Sequence, residues 1–250
     1  MTEQQSAAGR PRHVLIVGAS SAIGCELIRQ IAAPDTVILA HCHAGSERLA
    51  ALAREVASPL LIIAADLCSE DGIAALQAGV MAASPCPDQV VFLAAPRFTL
   101  TRFKDLAWPD FRAQLDMQLH TAVVLLGAIL PRMAQARRGK VVFMLSSYTS
   151  GTPPSAMAHY VTAKYAMLGL MKALAAEYAG KQININAVSP SMIETPFLAD
   201  IPDKLVEINA DKHPLKRNGR PADVAPVLRF LLSPASDFIT GTTIAVTGGA

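Results

Sequence analysis

The stretch VLIVGASSAIG, residues 14–24, decides the fold of this chain. Its four leading apolar residues predict a buried strand, and the small residues after them predict a tight turn into a helix that begins near Ile23. The spacing Gly-x3-Ala-x-Gly differs from the commonest dinucleotide fingerprint, Gly-x-Gly-x-x-Gly. Small residues let a backbone approach a pyrophosphate, and the free N–H groups of a helix N-terminus face it. The stretch therefore indicates a phosphate cradle, although such turns also occur for purely steric reasons.

The rest of the chain repeats this alternation of strand and helix. Apolar runs predict strands at residues 14–17, 37–40, 60–64, 90–93, 141–145, 183–188 and 243–246. Amphipathic segments predict helices, most clearly at residues 23–32, 46–56, 111–136, 158–179 and 221–232. Strands that are apolar on both faces and alternate with helices indicate a parallel sheet covered on both sides. We predict an α/β fold with one Rossmann-type, doubly wound parallel sheet of about seven strands, a single domain over residues 13–250 after an irregular or disordered tail at 1–12.

Composition and charge exclude several classes of protein. Hydrophobic residues make up 52% of the 250 residues and charged residues 17%, which supplies a large buried core. A net charge of +2 is too small to predict nucleic acid or an anionic membrane as a partner. The longest apolar stretch, around residues 121–131, is shorter than the ~20 residues of a membrane span, and residues 1–13 lack the apolar core of a signal peptide. The cysteines are scattered, so we expect no metal site or disulfide framework in a cytoplasmic protein.

One segment, residues 189–215, breaks the alternation. It contains four prolines and a short helix-like piece, and it is too long for an ordinary connection in such a fold. It follows the carboxyl end of a strand, which is where ligands bind in open α/β sheets. We predict a lid over a substrate pocket at about residues 190–215, with a surface insertion without function as the alternative.

The end of the second strand bears on the choice of nicotinamide cofactor. An Asp or Glu there would bind both ribose hydroxyls and repel a 2′-phosphate, but the strand tip has neither. The polar side chains available to a phosphate are His41, His43, Ser46 and Arg48. This favours NADP(H) over NAD(H), while a solvated loop is the alternative for the two histidines. At the end of the third strand, Asp66 and Leu67 suit a contact with the adenine amino group, or an ordinary helix N-cap.

The sharpest local feature is the segment YVTAK, which begins at Tyr160 and ends at Lys164. On a helix, positions four apart share a face, so the phenol and the ammonium point to the same place. Tyr has an ordinary pKa of about 10, but a fixed positive charge lowers that pKa and makes proton transfer to a carbonyl oxygen possible. A lone Tyr-x3-Lys is common by chance. Here it follows Ser147, which ends the fifth strand and can hold a substrate oxygen by a hydrogen bond.

These motifs, in this order, resemble those of the short-chain dehydrogenase/reductase family over nearly the whole chain, including the closing segment HPLKRNGRPADVAPVLRFLLSPASDFITGTTIAVTGG. The family's active-site Ser, Tyr and Lys match Ser147, Tyr160 and Lys164. The resemblance implies that backbone groups at Ile193 contact the nicotinamide amide and that Thr195 caps it or a phosphate. The predicted cofactor-binding residues are Gly18, Ser20, Ser21, Ile23, Gly24, His41, His43, Asp66, Leu67, Ala94, Tyr160, Lys164, Pro190, Ile193 and Thr195.

The chain departs from the family's pattern in three places. The middle glycine of the turn is Ala22, which a negative φ tolerates. The segment FLAA, residues 92–95, stands where the family has Asn-Asn-Ala-Gly, which affects geometry near the cofactor rather than the chemistry. Gln118 replaces the family's fourth catalytic residue, an Asn that holds a proton-relay water. Gln carries the same amide on a longer stem, so we count Gln118 as catalytic and expect its water to move.

The resemblance implies an NADPH-dependent ketoreductase or alcohol dehydrogenase, and bacterial 3-oxoacyl-thioester reductases are the most similar group. Their carrier-docking residues have rough counterparts in Arg137, Arg138 and Lys181, which makes an acyl carrier protein a candidate partner; plain surface solvation is the alternative for each. A sugar-nucleotide or specialised-metabolite ketone is an alternative substrate. A non-catalytic dinucleotide-binding protein is an alternative function. The family commonly forms tetramers through its long helices, which predicts a homotetramer or homodimer.

Overall fold

The sheet follows from the seven apolar runs. In the computed structural model, which describes residues 10–250, the strands are all parallel and lie in the order β3-β2-β1-β4-β5-β6-β7. Their bounds are β1 Arg12–Val17, β2 Thr36–Cys42, β3 Leu60–Ala64, β4 Gln89–Phe92, β5 Gly139–Met144, β6 Ile183–Pro190 and β7 Thr243–Val246. The predicted fold class, a single doubly wound α/β domain, is confirmed.

Helices cover both faces of the sheet. Their bounds are α1 Ala22–Ile31, α2 Ser46–Leu52, α3 Glu70–Ala83, α4 Trp108–Leu115, α5 Thr121–Ala136, α6 Ala158–Tyr178, α7 Asp203–Lys212 and α8 Pro221–Leu232. Alternate residues of β1 enter two buried apolar clusters, because side chains of a strand point to opposite faces in turn. Leu15 and Val17 pack with α3, α5 and α6, whereas Val14 and Ile16 pack with α1, α2 and α8.

The elements differ from the sequence-based predictions mainly at their ends. Helix α2 ends at Leu52 rather than at residue 56. Helix α3 shows little periodicity in its sequence, because Ala and Gly fill half of its positions. The tail predicted at residues 1–12 extends too far toward the first strand. Arg12 already belongs to β1, and Arg10 forms an ion pair with Asp88 at 2.6 Å. Residues 1–9 of that prediction lie outside the described part of the chain.

Helices α4 and α5 form one continuous helix with a π-helical turn at Asp116–His120 between them. By length and composition alone this helix could cross a membrane, which corrects the expectation that no segment is long enough. Its buried face packs against the sheet, with Leu125, Ile129 and Met133 fully buried at a spacing of four residues. The helix is thus part of the domain core, and core helices pass the same test.

Candidate active site

A cavity of about 680 Å³ lies at the carboxyl ends of the strands. The strand order reverses between β1 and β4, and ligands of open α/β sheets bind at such a reversal. The turn after β1, the loops after β4 and β5, helix α6 and the segment after β6 border it. The predicted site residues that line it are Ser21, Ile23, Tyr160, Lys164, Pro190, Ile193 and Thr195.

The turn after β1 is shaped for close approach of a ligand. Gly18 has a φ of +88°, and a Cβ on it would lie 2.8 Å from the backbone nitrogen of Ala94, so the position admits no side chain. A Cβ on Gly24 would meet the carbonyl oxygen of Ala19 at 2.5 Å. The Ser21 hydroxyl caps α1 by accepting a hydrogen bond from Gly24 N at 3.0 Å, and the first turn of α1 contains no acid. This geometry fits a pyrophosphate, which the free N–H groups and the helix dipole attract.

His41, at the end of β2, supports this turn from below. The side chain is buried, its Nδ1 accepts a hydrogen bond from Gly18 N at 3.1 Å, and its Nε2 donates to Ala65 O at 3.2 Å. Burial lowers the pKa of His41, so the ring is neutral. With both nitrogens engaged, His41 is not available to a phosphate, and that prediction is corrected. His43 remains exposed.

Arg48 is the cation that the fold brings to the glycine turn. It lies on α2, lines the cavity and donates from its guanidinium to Ser20 O at 2.9 Å. The Ser20 hydroxyl in turn donates to Ala44 O at 3.1 Å, which ties the turn to the loop before α2. Because guanidinium groups bind phosphates through paired N–H donors, Arg48 supplies the chemistry expected of an anion contact.

The other predicted cofactor contacts lie outside the lining: Gly18, Ser20, Gly24, His41, His43, Asp66, Leu67 and Ala94. Asp66 accepts a hydrogen bond from Cys68 N at 2.9 Å, which lowers the pKa of its carboxyl group. The cap of α3 is Ser69, through Gly72 N, rather than Asp66. Leu67 is buried in the core. An adenine contact at Asp66 and Leu67 therefore stays a prediction.

Helix α6 places Tyr160 and Lys164 on one face, as their spacing of four residues predicts. Both are buried; the Lys164 Nζ lies 5.5 Å from the centroid of the Tyr160 ring and donates to Met144 O at 2.8 Å. Burial lowers the pKa of Lys164 to about 7. Burial also raises the pKa of Tyr160, and the nearby Ser146 hydroxyl opposes that rise. The expected lowering of the Tyr160 pKa by the lysine charge is not found: the pKa is raised, and burial is the largest cause.

Ser146, and not Ser147, faces the cavity with Tyr160. Ser146 is buried and lines the cavity, whereas Ser147 is absent from its described lining and begins a 3-10 turn. The prediction placed the serine by counting 13 residues back from Tyr160. That count crosses an irregular loop, whose length is not fixed by a helix or a strand. Counting forward from Met144, the end of β5, would have found the serine, because side-chain direction alternates along a strand. The sequence-based placement is corrected by one residue.

An aromatic cluster surrounds the phenol, and no sequence pattern marks it. Phe98, from the loop after β4, stacks on Tyr160 with ring centroids 4.4 Å apart and planes inclined by 25°. Phe197, from the segment after β6, meets Phe98 edge-on at 5.7 Å. Met157 and Ile201 complete this buried cluster. Phe98 and Phe197 lie outside long helices and strands, where periodicity cannot identify a buried residue.

Gln118 lies in the π-helical turn, outside the described lining of the cavity. It is buried, and its Nε2 donates to the Gln114 side-chain oxygen at 2.9 Å and to Gln114 O at 3.2 Å. Its Oε1 is buried without a hydrogen-bond partner among residues 10–250. Buried amide oxygens are normally hydrogen-bonded, and π turns frequently occur at functional sites. This Oε1 is the acceptor that a relay water would use, and the relay stays a prediction.

The segment predicted as a lid forms one wall of the cavity. Its helix α7 and the turn before it contribute Phe197, Ile201 and Leu205 to the lining. Its end is anchored by His213, which is buried, donates from Nε2 to Thr247 O at 2.7 Å and accepts from Leu215 N at 3.1 Å. The position suits a lid, and its movement stays a prediction.

The basic residues matched to carrier docking lie at the amino ends of the strands, away from the cavity at the carboxyl ends. Arg137 and Arg138 directly precede β5, and Lys181 precedes β6. Arg138 forms an ion pair with Asp88 at 3.2 Å. Because a six-residue strand spans about 20 Å, these cations are roughly one strand length from the cavity.

Comparison with known proteins agrees with this arrangement. A family model described as Enoyl-(Acyl carrier protein) reductase matches residues 18–250. The chain belongs to the short-chain dehydrogenase/reductase family. As a short-chain dehydrogenase/reductase, it is an NAD(P)-dependent oxidoreductase that acts on CH–OH or C=O groups.

This chain is similar to family members of known activity and to family members of known structure. Cis-4-hydroxycyclohexanecarboxylate dehydrogenase of Sinomonas cyclohexanicum is 29% identical over 242 residues, which cover 95% of this chain and 96% of that protein. Levodione reductase superposes with a TM-score of 0.88 at 25% identity, covering 96% of this chain and 97% of that one. A 3-oxoacyl-[acyl-carrier protein] reductase with bound NAD from Brucella melitensis superposes with a TM-score of 0.82 at 28% identity, covering 96% and 91%.

Proposed function

We propose that this chain is an NADPH-dependent ketoreductase, able to run in reverse as an alcohol dehydrogenase, in which Ser146, Tyr160 and Lys164 carry the acid chemistry. The observation that supports this most directly is that these three side chains line one cavity beside the glycine turn. The nicotinamide supplies the hydride when it is bound. The backbone of the glycine turn, which leaves no room for a Cβ at Gly18, would hold the pyrophosphate.

In the proposed reaction, Ser146 and Tyr160 donate hydrogen bonds to the carbonyl oxygen of the substrate. Because burial raises the pKa of Tyr160, the phenol carries its proton at neutral pH and is ready to donate it in the reducing direction. Proton transfer leaves a phenolate, which the nearby Lys164 stabilises in its protonated form. The same side chain lines the cavity and is suited to bind the ribose hydroxyls.

The preference for NADPH is inferred from the end of β2. No Asp or Glu stands at the strand tip. His43, which directly follows β2, is exposed, and so is Arg48 on α2. A carboxylate would repel the 2′-phosphate, whereas a guanidinium attracts it. The Brucella melitensis reductase carries bound NAD, so the shared fold does not decide between the cofactors. Arg48 is the residue that would give the chain its preference for NADPH.

Two substrate classes are candidates. A 3-oxoacyl thioester is supported by the resemblance to acyl-carrier-protein reductases. A small ring-bearing ketone is supported by the similarity to a hydroxycyclohexanecarboxylate dehydrogenase and by the aromatic pair of Phe98 and Phe197 around Tyr160. We favour the small ketone, because Arg137 and Arg138, the residues matched to carrier docking, lie at the amino ends of the strands and the cavity lies at the carboxyl ends.

The test is NADPH oxidation by the purified chain with a panel of ketones that includes a 3-oxoacyl thioester, cyclic ketones and aryl ketones. Replacing Ser146 by Ala should lower kcat/KM by about tenfold to a hundredfold, since it removes a hydrogen bond to an oxygen that gains charge. Ser147→Ala is the matched control and should retain activity. A loss confined to Ser147→Ala would overturn the assignment of Ser146. Tight NADPH binding without turnover of any ketone would favour a non-catalytic dinucleotide-binding protein.

A further inference from the structure

The cavity concentrates positive charge beyond what the proposed chemistry uses. Its described lining contains four basic side chains, Arg48, Arg97, Lys164 and Lys212, and no Asp or Glu. The whole chain has 20 acidic residues and a net charge of only +2, so the excess is local. Charge of one sign in an apolar cleft raises the local concentration of ligands of the opposite sign.

Among residues 10–250, Arg97 and Lys212 are the basic residues of the cavity that no hydrogen bond or ion pair engages, and Arg97 is the one beside Phe98. Arg48 donates to Ser20 O, and Lys164 donates to Met144 O. Arg97 is exposed, and the structure gives it no hydrogen bond and no ion pair with any residue between 10 and 250. Its guanidinium is therefore available to a ligand.

The position of Arg97 links it to the reacting end of the cavity. It directly precedes Phe98, whose ring stacks on the phenol of Tyr160. Around these residues the wall is apolar, with the buried Ile201 and the half-buried Phe197 packed beside the Tyr160 ring. A ligand that fits this surface has an apolar body, which packs on these side chains, and an anionic group that reaches Arg97.

We propose that Arg97 determines specificity by binding an anionic group, a carboxylate or a phosphate, on the non-reacting part of the ketone substrate. This inference rests on the proposed function, which places the carbonyl group at Tyr160. Guanidinium binds both anions through paired N–H donors. The carboxylate would belong to a small keto acid, and the phosphate to the pantetheine arm of a thioester.

The test compares two pairs of ketones whose members differ in the anionic group. 4-Acetylbenzoate against 4-acetylbenzamide reports on a carboxylate, and acetoacetyl-4′-phosphopantetheine against acetoacetyl-pantetheine reports on the phosphate of a thioester arm. For each pair, the ratio of kcat/KM between the charged and the neutral member is measured in the wild type, Arg97→Gln, Arg97→Lys and Arg102→Gln. Arg102 is an exposed arginine of the same loop outside the described lining, so its variant makes the same charge change away from the cavity.

We expect Arg97→Gln to lower the ratio about tenfold or more for one pair, as loss of a charge-assisted hydrogen bond does. Arg97→Lys should restore part of it, and Arg102→Gln should keep the wild-type ratio. The pair that responds identifies the source of the anion. Unchanged ratios in both pairs, or an equal fall in Arg102→Gln, would overturn the proposal.

Calorimetric binding of the two benzoyl compounds separates this proposal from the proposed function. If no ketone is turned over but Arg97→Gln still weakens binding of 4-acetylbenzoate relative to the amide, the anion subsite stands and the ketoreductase does not. If ketones are turned over but Arg97→Gln changes neither ratio, the ketoreductase stands and the subsite does not. Equal binding of acid and amide by the wild type and the variant, together with an unchanged ratio for the phosphate-bearing pair, also removes the subsite.

Discussion

The cofactor end and the substrate end of the cavity are held by different kinds of interaction. At the cofactor end the backbone sets the shape: Gly18 N donates to the ring of His41, and a Cβ on Gly18 would lie 2.8 Å from a neighbouring backbone nitrogen. At the substrate end side chains set the shape: Phe98 stacks on Tyr160, and Phe197 meets Phe98 edge-on.

This difference has a consequence for substitution. A turn built from backbone contacts admits no larger residue, whereas a wall of side chains can change with the substrate while the chain keeps its course. We therefore expect variants at one end to leave the other end intact. The following variants test that separation, from the largest expected effect to the smallest.

Tyr160→Phe should lower kcat by about a hundredfold or more, because it removes the proposed proton donor. The ring remains, so the stack on Phe98 and the affinity for NADPH should be preserved. Steady-state kinetics and fluorescence titration with NADPH measure the two quantities. Near-normal turnover would remove Tyr160 from the mechanism, and a large loss of NADPH affinity would break the separation of the two ends.

Arg48→Gln makes the complementary change at the cofactor end. Wild type should bind NADPH more tightly than NADH, and this variant should reduce that preference about tenfold, because a charge-assisted contact with the 2′-phosphate is lost. Titration with both cofactors measures the ratio. The exposed Arg54, further along the chain after α2 and outside the described lining, offers a matched control as Arg54→Gln. A wild type that prefers NADH would refute the inference from Arg48.

Lys164→Met tests how much the buried charge of Lys164 lowers the stability of the folded chain. The folded-state pKa of Lys164 is about 7 and its ordinary value is 10.5, so between these values the unfolded chain binds more protons and stability rises with pH. Below pH about 7 the full cost of the buried charge is present. The variant should therefore melt several degrees higher than wild type at neutral pH, at about 2–4 °C per kcal/mol.

The pH dependence is the decisive part of that measurement. The difference in Tm between Lys164→Met and wild type should shrink as pH rises toward 10.5, where wild type loses the charge in both states. Scanning calorimetry in buffers across this range gives the values. A difference that does not change with pH would show that burial does not penalise the Lys164 charge.

Gln118 should give the smallest effect. If its buried Oε1 holds a relay water, Gln118→Ala should slow turnover by about tenfold or less, because the amide acts one step away from the proton donor. Gln118→Asn keeps the amide and should stay active. Both should retain NADPH affinity. A Gln118→Leu variant that is active and melts higher would instead mean that the amide only fills space.

The parts of this protein that sequence alone predicted are those set by local spacing. The run at residues 14–24 has the apolar strand and the small turn within eleven positions, and both appear where its pattern placed them. Tyr160 and Lys164 share a face because a helix brings positions four apart together whatever surrounds it. Periodicity of this kind needs no knowledge of the rest of the chain.

Only the tertiary structure decided which side chains meet at the site. Ser146 rather than Ser147 faces the phenol, and His41 supports the glycine turn instead of a phosphate. Phe98 covers Tyr160, and Arg97 reaches the same cavity, although about sixty residues separate this loop from α6. The direction of each of these side chains depends on where a strand ends and how distant loops pack, and irregular loops carry no period from which that direction can be read.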